Sequence, residues 1–153
     1  MDGSTLLPPS GQFQGAQHLF PIRVYYEDTD LSGMVYHANY LRWFERARSD
    51  MLRLLGIDQR NAAESGEGLY TVAELSIRFL APARLDDAVT VVTDAAELGA
   101  ASVRLRQRAL KGGDLLAEAF VRVGFISPDG RPRRQPSAWR AAFESLQSAK
   151  DAA

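Results

Sequence analysis

The chain has no cysteine among its 153 residues, which excludes disulfides, thiol catalysis and thiolate metal sites and fits a reducing compartment. It has only two histidines, His18 and His37, too few nitrogen donors for a zinc site, so no metal is expected. Charge of one sign is also lacking. The net value is −1, so no global field draws the chain to nucleic acid or a membrane surface. No apolar run is long enough to span a bilayer. Residues 1–17 hold no Lys or Arg and only the short apolar pair Leu6-Leu7. A secretory signal needs a basic start and a longer apolar run, so the chain reads as cytoplasmic. No G-x-S-x-G elbow is present, and Gly66-Glu67-Gly68 is a lone glycine pair rather than a phosphate loop. The run Arg131-Pro132-Arg133-Arg134 reads as solvated charge.

What is present suits one ordinary domain. Apolar residues make up 46% and charged residues 24% of a chain long enough to bury a core. Residues 1–19, rich in Gly, Pro, Ser and Gln, read as a flexible N-terminal arm, 20–147 as the domain and 148–153 as a frayed tail. Phe20, Ile22, Val24 and Tyr26 alternate with Pro21, Arg23 and Tyr25 as in a half-buried strand. Over residues 38–55, Tyr40, Phe44, Ala47, Met51 and Leu55 recur at helical spacing, with Trp43 and Leu54 widening the stripe and Gly56 suited to the stop. Four strand patterns follow, over 73–79, 89–93, 103–106 and 117–125, with no further helix before a short one over 136–146. Gly99 and Gly112-Gly113 suit hairpin turns. One sheet carrying one long helix on a face is an α+β domain.

Chemistry concentrates in residues 25–40, between the first strand and the long helix. This stretch holds three acids, one histidine and four tyrosines. A helix start offers unpaired N–H groups and the positive end of a dipole, which can polarise a thioester or ester carbonyl. Asp30 in the loop can act as nucleophile or general base, and His37 at the helix entry can move a proton. Tyr26, four residues before Asp30, can orient a water or the carboxylate. Each residue also has a plainer reading. Asp28 and Asp30 suit turns and caps, His37 an ordinary interior or surface position, and Tyr36 and Tyr40 the core. Convergence on one helix entry favours chemistry.

The run RVYYEDTDLSGMVYHANY over residues 23–40 resembles the signature of the 4-hydroxybenzoyl-CoA thioesterase family, nearest to the bacterial acyl-CoA thioesterases associated with the Tol-Pal system. Phe44-Glu45-Arg46-Ala47-Arg48 and Ala81-Pro82-Ala83-Arg84-Leu85-Asp86-Asp87 agree. The resemblance implies a hot-dog fold, a curled antiparallel sheet wrapped around one long central helix. It implies hydrolysis of an acyl thioester to free acid and coenzyme A, with Asp30 as catalytic carboxylate and Tyr26 and His37 in support. The backbone N–H near His37 would polarise the carbonyl. No cofactor is implied, since coenzyme A belongs to the substrate, and acyl carrier protein is a further candidate partner. A homotetramer, a dimer of dimers with sites between subunits, is implied as well. Glu45 is a second candidate acid, because some hot-dog thioesterases place theirs on the helix; an ion pair with a nearby arginine is its plainer reading. Two rival functions stand beside hydrolysis: a hot-dog hydratase or dehydratase on acyl thioesters, and a non-catalytic partner that only binds acyl-CoA or acyl carrier protein.

Overall fold

The computed structural model describes residues 3–147. A small strand β1 (Gln12–Gln14) turns back into β2 (Gln17–Arg23). The long helix α1 (His37–Leu54) and a short α2 (Gln59–Glu64) precede β3 (Leu69–Phe79), β4 (Ala88–Leu98), β5 (Ser102–Lys111) and β6 (Asp114–Ile126). A last helix, α3, covers Ser137–Glu144. The six strands form one antiparallel sheet in the order β1-β2-β4-β5-β6-β3. The sheet curls around α1, giving the hot-dog fold.

Helix α1 forms where expected. Tyr40, Trp43, Phe44, Ala47 and Met51 lie on one face and are all buried. They pack against Phe20, Ile22, Val89, Val91, Leu105 and Val121 of the sheet. Leu54 differs from the expected stripe: at the last helical position it points outward and stays exposed, while Leu52 takes the buried place. Gly56, at φ +80°, ends the helix. Its N–H reaches the Arg53 carbonyl, and the Ile57 N–H reaches that of Leu52, the paired bonds of a Schellman stop.

Two expectations are corrected. The flexible arm over 1–19 overlaps strand. Gln12–Gln14 pairs with β2, which begins at Gln17, and His18 is fully buried. The alternation of Phe20 and Ile22 runs back through His18, whose polar character hid it. Tyr26 does not continue that strand; β2 ends at Arg23, and Tyr26 is 83% exposed on a single 3-10 turn. The hairpins expected at Gly99 and Gly112-Gly113 join β4–β5–β6, while β3 crosses to the far edge beside β6. Helix α2 was not legible as apolar periodicity. It begins because Asp58 caps it, accepting from the Asn61 N–H at 3.0 Å. The tail at 148–153 lies outside the described residues. No helix among those described is long and apolar enough to cross a membrane.

Candidate active site

After β2 the chain leaves the sheet at Val24, whose N–H bonds the Asp87 carbonyl at 3.0 Å. The 3-10 turn Tyr26–Asp28 follows. Asp28 holds this turn: its carboxylate accepts from the Tyr25 N–H at 2.8 Å. Its carbonyl accepts the Tyr36 N–H and the Asn39 side chain, both at 2.8 Å, which ties the turn to the start of α1. The cap reading of Asp28 therefore accounts for its geometry.

Asp30 begins a tight loop of its own. The Gly33 N–H closes on the Asp30 carbonyl and the Asp30 N–H on the Met34 carbonyl, each at 3.0 Å. Gly33 sits at φ +78°, a region that suits glycine. Thr29 and Val35 bridge the neck of the loop. The Ala81–Asp87 motif braces it from outside: the buried Ala83 offers its carbonyl to the Val35 N–H at 2.8 Å, and Met34 bridges Arg84.

The Asp30 carboxylate is exposed and held by one oxygen. Oδ1 accepts from the Ser32 N–H at 2.8 Å and from the Ser32 hydroxyl. These bonds, the hydroxyl's first, hold the Asp30 carboxyl below its ordinary 3.8, with the nearby His37 adding a smaller pull. Tyr26, Thr29, Asp30, Leu31, Gly33 and Leu85 line one open groove of about 610 Å³. Tyr26 and Asp30 are thus brought together on one surface, although no hydrogen bond joins them.

His37 opens α1 and does not line that groove. Its ring lies 4.5 Å from that of Tyr36 and 5.9 Å from that of Phe79, centre to centre. It is exposed, which sets aside the interior reading. The helix start itself is open. Tyr36 at the cap position makes no side-chain cap bond, and the first turn carries no acid. The Asn39 N–H closes on the Tyr36 carbonyl at 2.9 Å, which leaves the His37 and Ala38 N–H groups and the positive end of the helix to meet developing negative charge.

Glu45 stands two helical turns further on and is not part of the groove around Asp30. Its expected ion pair with an arginine is absent among the described residues; it accepts from the Ser49 hydroxyl at 2.9 Å instead. With Arg48, Ser49, Leu52, Tyr70 and Val72 it lines a separate cavity of about 160 Å³. Among the described residues no group of three acids or histidines could hold a metal ion.

Two polar features escaped the sequence reading. Ser32 is one, although a serine two residues after an aspartate is a known turn pattern. The other is the pair His18–Asp50, 2.8 Å apart and buried, joined by contacts 32 positions apart that no local pattern announces.

The site can be set beside known proteins. The family model described as the thioesterase superfamily matches residues 32–118, more than half of the chain, starting just beyond Asp30. An acyl-CoA thioesterase of Haemophilus influenzae, YbgC, is 39% identical over 128 residues, 83% of this chain and 94% of its own. The acyl-CoA thioester hydrolase YbgC of Escherichia coli O157:H7 is 38% identical over 127 residues, 82% of this chain and 94% of its own. Among solved structures, a probable thioesterase from Bartonella henselae superposes with a TM-score of 0.74 at 39% identity, covering 78% of this chain and 99% of its own. The family match over more than half of the chain, the identity to these thioesterases over most of its length and the shared curled sheet place the chain in the thioesterase superfamily as a thioester hydrolase of the hot-dog fold.

Proposed function

We propose that the protein hydrolyses acyl-CoA thioesters with Asp30 as its catalytic carboxylate. The observation that carries the reading is the Asp30 carboxylate, exposed in an open groove and held below its ordinary value by the Ser32 donors and, more weakly, by His37 at the start of α1. The names of the curated relatives support the substrate class.

An aspartate carboxylate is a weak base at neutral pH, and general-base catalysis works best with a group that titrates near the working pH. We therefore take direct attack as the step. Asp30 Oδ2 bonds to the thioester carbonyl carbon, the carbonyl electrons move to oxygen, and the N–H groups at the start of α1 stabilise that oxyanion. Its collapse breaks the C–S bond and releases the coenzyme A thiolate. Water then cleaves the mixed anhydride, giving the free acid, a proton and the regenerated carboxylate. Tyr26, in the same groove, orients the carboxylate or the water, and His37 assists proton movement.

The working form in this reading is a homotetramer in the cytoplasm, with sites between subunits. Edge strand β3 supports it: Val72, Leu75 and Phe79 are 48%, 40% and 47% exposed along an unpaired edge. An acyl carrier protein thioester and a role beside the Tol-Pal envelope system belong to the same proposal. The test is a thiol-release panel over short, long and aromatic acyl-CoA substrates, with an enoyl-CoA included. Thiol release that depends on Asp30 supports hydrolysis. Water addition to the enoyl double bond without thiol release turns the reading toward a hydratase, and binding without turnover toward a non-catalytic binding partner.

A further inference from the structure

We propose that Ser32 is a positioning residue for the reaction: its hydroxyl holds Oδ1 of Asp30 and so presents Oδ2 alone to the substrate. The inference rests on the proposed role of Asp30 and adds a residue that no comparison assigns.

The geometry is directional. The Met34 N–H approaches Ser32 Oγ at 3.3 Å, so the serine oxygen accepts from the backbone while its own hydrogen points to Asp30. The Ser32 N–H adds a second donor to the same carboxylate oxygen at 2.8 Å. Among the described residues, no other residue donates a hydrogen bond to Oδ2. A relay of backbone N–H, hydroxyl and carboxylate polarises each bond along its length. A freely rotating aspartate on an exposed loop would spread its two oxygens over several rotamers. Two donors on one oxygen remove that freedom, and the closed loop from Asp30 to Met34 keeps the donors in place. Attack needs one oxygen at near-bonding distance and in line, so orientation acts directly on the rate.

The arrangement also serves charge. Donors to the ionised form keep Asp30 deprotonated, and the Ser32 hydroxyl is the largest contributor. During attack the negative charge leaves the carboxylate, and Oδ1 becomes the carbonyl oxygen of the anhydride. The two Ser32 donors stay on that oxygen. They polarise the aspartyl carbonyl when water arrives for the second step.

The test compares Ser32→Ala and Ser32→Thr with the unaltered protein. Removing the hydroxyl leaves the backbone donor, so Ser32→Ala should lower kcat about tenfold, the scale of one hydrogen bond to a charged group. KM should change little, because the loss falls on orientation. The sign of the pH effect follows from the donor's role. Without the hydroxyl the Asp30 carboxyl rises toward its ordinary value, so the acid limb of the kcat/KM profile moves to higher pH. Ser32→Thr keeps a hydroxyl and should restore both kcat and the limb. Side-chain carboxyl NMR, following Asp30 through an acid titration, should show the same upward displacement in Ser32→Ala. This readout needs no turnover: if the unaltered protein releases no thiol, the proposed function fails while the Ser32–Asp30 coupling is still measured. An unchanged Asp30 titration in Ser32→Ala, or unchanged kcat and acid limb in an active enzyme, overturns the proposal.

Discussion

At the scale of single residues, Asp30 and Asp28 stand two positions apart and do different work. Asp28 spends its carboxylate on the Tyr25 N–H and its carbonyl on the helix start. Asn accepts such a cap bond about as well as Asp, so Asp28→Asn should leave turnover near normal. Asp30→Asn keeps size and loop bonding but removes charge and nucleophilicity. Its thioesterase rate should fall at least ~10²-fold, with folding and substrate binding retained. Near-normal turnover would return Asp30 to the role of a turn residue. His37→Ala should cost less, toward the low end of the ~10²–10⁴-fold range for proton-transfer help, because the backbone N–H at the helix start survives the change. Steady-state thiol release on the three variants orders them, and an active Asp30→Asn beside a dead His37→Ala would reverse the assignments.

At the scale of elements, the first strands are clasped to α1. Asp50, buried on the helix, accepts from Ser10 Oγ at 2.6 Å, from the Gly11 N–H at 2.9 Å and bonds His18 Nε2 at 2.8 Å. Gly11 has no room for a Cβ, which would stand 2.2 Å from the Leu19 carbonyl oxygen. A chain starting at Phe20 loses β1, His18 and every one of these donors, and leaves Asp50 without a partner. Breaking one side of a buried pair costs about 3–5 kcal/mol, so that truncation should lower the melting temperature sharply. His18→Ala should give a large part of the same loss. The pair also sets a pH dependence. Burial pushes the Asp50 carboxyl up, but the Ser10, Gly11 and His18 bonds outweigh it and hold the carboxyl below its ordinary 3.8. A carboxyl depressed in the folded state stabilises above its unfolded value and loses that contribution as pH falls through the folded value. Thermal melts taken downward from pH 5 should therefore fall less steeply for Asp50→Asn than for the unaltered protein. Equal slopes would remove Asp50 from the acid response.

At the scale of the whole molecule, one edge of the sheet is unfinished. Strand β3, 11 residues long, has no strand on its outer side, and its apolar side chains Val72, Leu75 and Phe79 are exposed. Facing this edge, Arg48 of α1 is half-buried; it hydrogen-bonds Gln107 at 2.9 Å, and Glu45 in the same cavity acts on it through charge alone. Burial holds its guanidinium below the ordinary value. A second copy laid along β3 would cover the apolar side chains and complete the ladder. Light scattering should give a multiple of the chain mass, and Leu75→Lys, a charge on the pairing edge, should shift it toward the monomer. A monomer at micromolar concentration in the unaltered protein would end the idea of sites between subunits.

The same scales divide what could be read early. The sequence by itself determined the α+β class, the span and core face of α1, its stop at Gly56 and the placing of three acids and a histidine at one helix entry. These are local matters: helical periodicity, glycine at positive φ and turn chemistry act within a few residues. Tertiary structure alone decided that His18 is core, that Arg48 bonds Gln107 and that β3 lies beside β6. Those outcomes rest on partners far apart in the chain. His18 finds Asp50 across 32 residues, Arg48 finds Gln107 across 59, and β3 pairs with β6 past two intervening strands. A residue's type states which bonds it can make, and only the folded chain brings the partner that makes them.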